Sequence, residues 1–235
     1  TTNATINSVN IGKGANSVSG NTVLGELALD ASVTGANNTA IGKNALTANT
    51  SGASNVAVGS NCLDANTTGD NNTALGAFAL SDQTTGNNNV AIGIAALQAN
   101  TSGSQNIAIG RNSLYQNTTG IYNVGVGDST LANTTTNNNT AVGQSALVVN
   151  TTGSFNTGLG AFALQVNSTA SNNTAIGYNS LGANTTGTNN VALGSLALDA
   201  STTANNNTAV GYNAGTAITT GSENTVLGSN ALDAL

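Results

Sequence analysis

The chain has no proline, histidine, tryptophan or methionine, one cysteine, four tyrosines and three phenylalanines in 235 residues. Without histidine there is no Ser–His–Asp triad, no imidazole acid–base group and no His-ligated metal. So few large side chains also argue against an ordinary globular core, where each buried one contributes roughly 1.5–3 kcal/mol. The apolar residues are mostly Ala, Leu, Val and Ile. Charge is scarce, with three cations against nine acids and a net of −6, so nothing draws the chain to nucleic acid or an anionic membrane. No apolar run approaches the ~18 residues of a membrane span. Disordered chains combine high charge and proline with few β-branched aliphatics, and this balance is the reverse.

The lone Cys62 excludes an intrachain disulfide, and it fills a slot that is Ala in most neighbouring repeats, so it reads as a small packing residue. The leading "TTNATINSVN" is not a signal peptide. A start without Met leads us to expect a processed product or a segment of something longer.

What the chain has is a period. Gly25, Gly42, Gly59, Gly76, Gly93, Gly110, Gly127, Gly143, Gly160, Gly177, Gly194, Gly211 and Gly228 are 17 residues apart, except for one step of 16. That shorter step, Gly127 to Gly143, reads as a residue missing between Leu131 and Asn133. Four before each glycine stands Asn: Asn21, Asn38, Asn55, Asn72, Asn89, Asn106, Asn123, Asn139, Asn156, Asn173, Asn190, Asn207 and Asn224. Immediately before it stands an aliphatic: Leu24, Ile41, Val58, Leu75, Ile92, Ile109, Val126, Val142, Leu159, Ile176, Leu193, Val210 and Leu227. Four after it stands Leu, except at Gly215.

The three residues before the glycine read as a short strand whose first and third side chains share a face, and that face is expected to be buried. The glycine suits a tight corner. A second turn falls at "NTTG", where Thr136, Ala170 and Ala204 replace the glycine in some repeats, so positive φ is not required there. Seventeen residues cannot bury a face alone, so neighbours must stack. The expected fold is all-β, a parallel β-solenoid of about 13 coils, ~60 Å long at 4.7–4.8 Å per coil. Residues 1–20 form a leading segment with a short atypical coil, and 21–235 form the repeat domain. A helical solenoid is disfavoured, because those repeats are longer and no 3.6-residue pattern spans this unit.

In such a stack the Asn file reads as an amide ladder, each side chain donating to one neighbour and accepting from the other. The aliphatic file and the Leu file read as core, so Ile109→Asp should collapse the stack. The Thr pairs, as at Thr67 and Thr68 or Thr118 and Thr119, offer a hydroxyl file for ice, although adjacent strand residues face opposite ways. Asn49, Asn66, Asn117 and Asn184 match the glycosylation pattern N-x-[ST]. Lys43, Arg111, Asp30, Asp64, Asp199 and Asp233 occupy variable, solvated slots. Phe78, Phe162, Tyr178 and Tyr212 read as surface or interface filling, with a binding role as the alternative. The acids are scattered, and no phosphate loop, dinucleotide fingerprint or calcium-roll phrase is present. No catalytic, cofactor or metal residues are assigned, and no enzymatic activity is expected.

The phrase "NSVNIG", with Asn7, Ser8, Val9, Ile11 and Gly12, resembles the "NSVAIG" head repeat of YadA-like trimeric autotransporter adhesins. "NNTAIG" at 37–42 and 172–177 fits the same template, and the units resemble 17-residue repeats of phage and viral tail fibres. The resemblance implies a left-handed β-roll assembled as a parallel homotrimer, with aliphatic files inside each roll and small residues near the threefold axis. It implies a non-enzymatic structural or adhesive segment of an extracellular, cell-surface or virion-surface fibre. Its partners would be further copies, in a trimer or end-to-end filament, and a host-surface receptor or glycan, with no nucleic acid and no membrane insertion. The alternatives are a binding module for ice or glycan and a self-polymerising filament subunit.

Overall fold

The computed structural model describes residues 4–7, 9–31 and 33–233. They form a parallel β-solenoid of about 12 turns with 17-residue spacing, divided into two compact units, Thr1–Ile121 and Tyr122–Leu235. The first contains β1 (Ala4–Ile6), β2 (Val9–Gly12), β3 (Thr22–Gly25), β4 (Thr39–Ile41), β5 (Val56–Val58), β6 (Thr73–Leu75), β7 (Val90–Ile92) and β8 (Ile107–Ile109). The second contains β9 (Val124–Val126), β10 (Thr140–Val142), β11 (Thr157–Leu159), β12 (Thr174–Ile176), β13 (Val191–Leu193), β14 (Thr208–Val210) and β15 (Thr225–Leu227). From β3 to β8, and again from β9 to β15, each strand pairs parallel with the next, like residue beside like residue.

Three residues per strand would make a weak sheet, but the coils pair along their turns as well. Leu46 N–H donates to the Cys62 carbonyl at 3.0 Å and Thr67 N–H to the Thr84 carbonyl at 2.9 Å, one coil on in each case. Within each coil the chain turns by placing residues two and four after the glycine, and five before it, in the left-handed region, as at Asn61 (φ 51°), Leu63 (φ 52°) and Asn71 (φ 58°). Asn tolerates that conformation better than most residues, which explains part of its abundance. Leu tolerates it poorly and is held there by packing; Gly215 stands in the same slot at φ 74°.

The corner glycine is needed for room as well as for φ. At Gly93 (φ 131°) an added Cβ would lie 2.7 Å from the Gly110 carbonyl oxygen. The glycines of the second turn, Gly69 and Gly86 among them, are not left-handed. At Gly69 and Gly86 a Cβ would instead strike the carbonyl oxygen of the next coil's glycine.

The strands reverse the expected facing. Their middle residues, such as Ala40, Ala57, Ala74, Ala91 and Ala108, are fully buried. The file immediately before the glycine points outward: Leu24, Leu75 and Leu193 are 44–46 % exposed and Ile109 37 %. Val142 and Leu227 are exposed, and Ile41, Val58, Ile92, Val126, Leu159, Ile176 and Val210 half-exposed. The reason is width. The Leu four after the glycine, fully buried from Leu29 to Leu198, fills the interior under the strand and leaves room for a methyl or less from β4 to β14, Val23 and Val226 filling the slot only in β3 and β15. At Gly158, for instance, a Cβ would meet Leu147 Cδ1 at 3.4 Å. Ile109 is therefore not a core residue.

Two further expectations are corrected. "NSVNIG" is not a coil of the solenoid, because β2 runs antiparallel to β3 and pairs antiparallel with β1. A hairpin thus closes that end of the parallel ladder; Ser8 lies outside the described residues. The residue absent from the 16-residue coil is the second Thr of the pair, not one between Leu131 and Asn133. Thr134 still accepts from Asn150 Nδ2, in the slot of the neighbouring Asn residues, and Thr136 supplies the turn carbonyl to Asn123, so Thr135 alone spans the turn. β10 keeps its register with both neighbours.

Candidate functional site

Among the described residues no group of three or more His, Cys, Asp or Glu could hold a metal, no pocket opens, and no helix is long and apolar enough to cross a membrane.

The Asn file four before the glycine is buried through most of its length. Within each unit the Oδ1 of one Asn accepts the backbone N–H of the next coil's Asn at 2.8–3.0 Å, as from Asn38 to Asn21 and from Asn224 to Asn207. Its Nδ2 reaches forward to the turn carbonyl of the next coil, Asn55 to Gly69 at 2.8 Å and Asn173 to Gly187 at 2.8 Å. Each amide thus ties its own coil to the next, and several, Asn55 and Asn72 among them, also donate back to the Oδ1 of the preceding coil's Asn.

A second amide ladder stands ten before the glycine, where the sequence showed only glycosylation patterns. Asn66 Nδ2 donates to Asn49 Oδ1 at 3.0 Å and to the Gly69 carbonyl at 3.1 Å; Asn184 Nδ2 donates to Asn167 Oδ1 at 2.9 Å and to the Gly187 carbonyl at 3.0 Å. Asn49, Asn66, Asn117 and Asn184 are wholly buried, so none can bear a glycan in the folded chain. The recurrence of Asn at this slot was the signal available. The ladder breaks at Ser201, too short to reach back: its Oγ and Asn184 Oδ1 are both buried without a partner.

A third ladder uses side-chain oxygens six before the glycine. Asp70 accepts the Ala53 N–H at 2.7 Å, Asn87 that of Asp70 at 2.7 Å and Ser104 that of Asn87 at 3.0 Å. Its varied chemistry (Asp, Asn, Ser) hid it.

The first Thr of most pairs spends its hydroxyl on the next coil, Thr67 to the Thr84 carbonyl at 3.0 Å and Thr101 to the Thr118 carbonyl at 3.0 Å. This weakens its case as a free hydroxyl file for ice. Lys43 and Glu26, in like slots of adjacent coils, pair at 3.2 Å on the surface, where such a pair contributes little. Asp64 and Asp199 are less solvated than expected, and burial raises both carboxyl pKa values. Cys62 is buried, donates to the Ala74 carbonyl at 3.3 Å and has its thiol pushed up to about 12, first by burial. Ser180 makes the same bond to the Ala192 carbonyl at 3.1 Å, which fits a packing role at this slot. Phe78, Tyr178 and Tyr212 are exposed, and the Phe162 and Tyr178 rings meet edge to face at 5.8 Å.

No family model, curated protein or solved structure matches the chain.

Proposed function

We propose that the chain is a non-enzymatic structural or adhesive segment of an extracellular or virion fibre, working with further copies of itself. The observation that carries this reading is that most of the repeated polar groups are consumed in bonds between coils. The amides of two ladders and the hydroxyls of the Thr file close on the next coil's backbone or side chains. A surface receptor or glycan would be met by residues that vary from coil to coil. The resemblance of "NNTAIG" to adhesin and tail-fibre repeats supports the same reading, and trimer formation belongs to it.

Antibody raised against the purified chain and applied to intact cells or particles of the source tests the location. Label on projecting fibres is expected. Label seen only after the cells or particles are opened overturns the proposal.

A further inference from the structure

The outward side chains of the strands carry a constraint that folding one chain does not impose. Each strand turns out the residues three and one before its glycine, while the interior is completed by Ala, Leu and Asn. Yet the outer position nearer the glycine is Leu, Ile or Val in every coil, and the other is Thr, Val or Ile in every coil. No charge falls in either file. The slot just after the glycine varies freely, through Glu26, Lys43, Ser60, Arg111 and Tyr178. Strand propensity accounts for Val, Ile and Thr, but not for a recurring Leu.

The footprint is large. Three residues at ~3.3 Å give a width of ~10 Å, and each strand adds 4.7–4.8 Å, so the six parallel strands of the first unit present ~280 Å² and the seven of the second ~330 Å² in projection. Each is close to the lower end of the ~300–600 Å² of a typical monomer's largest apolar patch, with Thr methyls and hydroxyls filling part of the outer file.

The period names the occupant. A partner that contacts every strand must itself repeat every 4.7–4.8 Å, whereas a globular partner would meet a few strands and leave the remaining ones unconstrained. We infer that this sheet face docks on the same face of a second copy of this chain, the two files interdigitating as facing sheets do at ~10 Å separation. This rests on the fibre reading and names the surface through which the copies meet. It reverses the arrangement expected from the resemblance, since the aliphatic files join chains and the small residues lie inside each roll.

The test is sedimentation equilibrium of the full chain at micromolar concentration, with β-structure followed by circular dichroism. The wild type is expected to be an oligomer. Ile92→Lys with Ile109→Lys, and separately Leu159→Lys with Ile176→Lys, should weaken association at least tenfold and keep the β spectrum, whereas Ser60→Lys, just after its glycine, should not. Should the lysine variants fail to fold, I109C provides a second route, because the buried Cys62 is silent. Oxidation should link copies through Cys introduced at 109 if they lie parallel, and I109T should weaken association with strand propensity kept. A monomeric wild type overturns the inference, as does an oligomer indifferent to the face variants. A monomer showing thermal hysteresis overturns it in favour of ice as the occupant. None of these outcomes bears on where antibody labels the source.

Discussion

Asn72→Ala isolates the first amide ladder. In the native chain Asn72 Oδ1 accepts the Asn89 N–H at 3.0 Å, and its Nδ2 donates to Asn55 Oδ1 at 3.1 Å and to the Gly86 carbonyl at 2.9 Å. Truncation leaves the Asn89 N–H without this partner in a site with 1 % exposure. Asn55 Oδ1 keeps the Asn72 N–H, and the Gly86 carbonyl keeps Gln83 Nε2 at 3.0 Å. One stranded buried backbone group, with the two lost amide bonds replaced in part, gives a loss of about 1–3 kcal/mol. The neighbouring Asn71 is exposed and left-handed at φ 58°, so Asn71→Ala should cost only about 1 kcal/mol, through its backbone. Denaturant titration measures the totals, and native-state hydrogen exchange should place the lost protection at the coils around residues 72 and 89. If Asn72→Ala costs no more than Asn71→Ala, or if protection falls uniformly, the clamping argument is wrong.

Ser201→Asn should restore the broken rung of the second ladder by giving Asn184 Oδ1 a donor, and raise stability by about 1–3 kcal/mol in the same titration; a loss would show that the slot has no room. Asp64→Asn should stabilise the chain at neutral pH, because burial raises the Asp64 carboxyl pKa and one buried oxygen lacks a partner. The stabilising effect of its protonated form is complete below the ordinary value of 3.8 and lost as pH rises through the raised one, so the variant should flatten thermal stability against pH in that window. Cys62 should resist thiol reagents until the chain unfolds. Its thiol stays protonated up to about 12 in the fold against an ordinary 9.0, so stability should decline above pH 9 by about 1.4 kcal/mol per unit, a slope that Cys62→Ala should remove.

The period, the parallel register and the Leu file were legible because a stack repeats its needs at a fixed interval. The facing of the strands was not. Alternation tells which residues share a face, and in Thr39, Ala40 and Ile41 both faces are uncharged, so size is the one guide to burial that the letters offer. Size misled because the interior was already filled by Leu46-type side chains in a left-handed conformation, which no local pattern announces. The second amide ladder was hidden by a glycosylation pattern on the same Asn residues. The third was hidden because an Asp, an Asn and a Ser all offer the one oxygen it requires. "NSVNIG" has the residues of a coil but pairs antiparallel, a choice that depends on what lies beside it rather than on its own letters.

Because almost every coil offers its neighbour the same backbone donors and acceptors, a unit could be added or removed in a whole step, as beads are added to a string, at little cost beyond a mismatched rung such as Ser201. The 16-residue coil marks the limit of that freedom: a fractional step survives where it falls in the Thr turn, away from the strand register and the amide rungs.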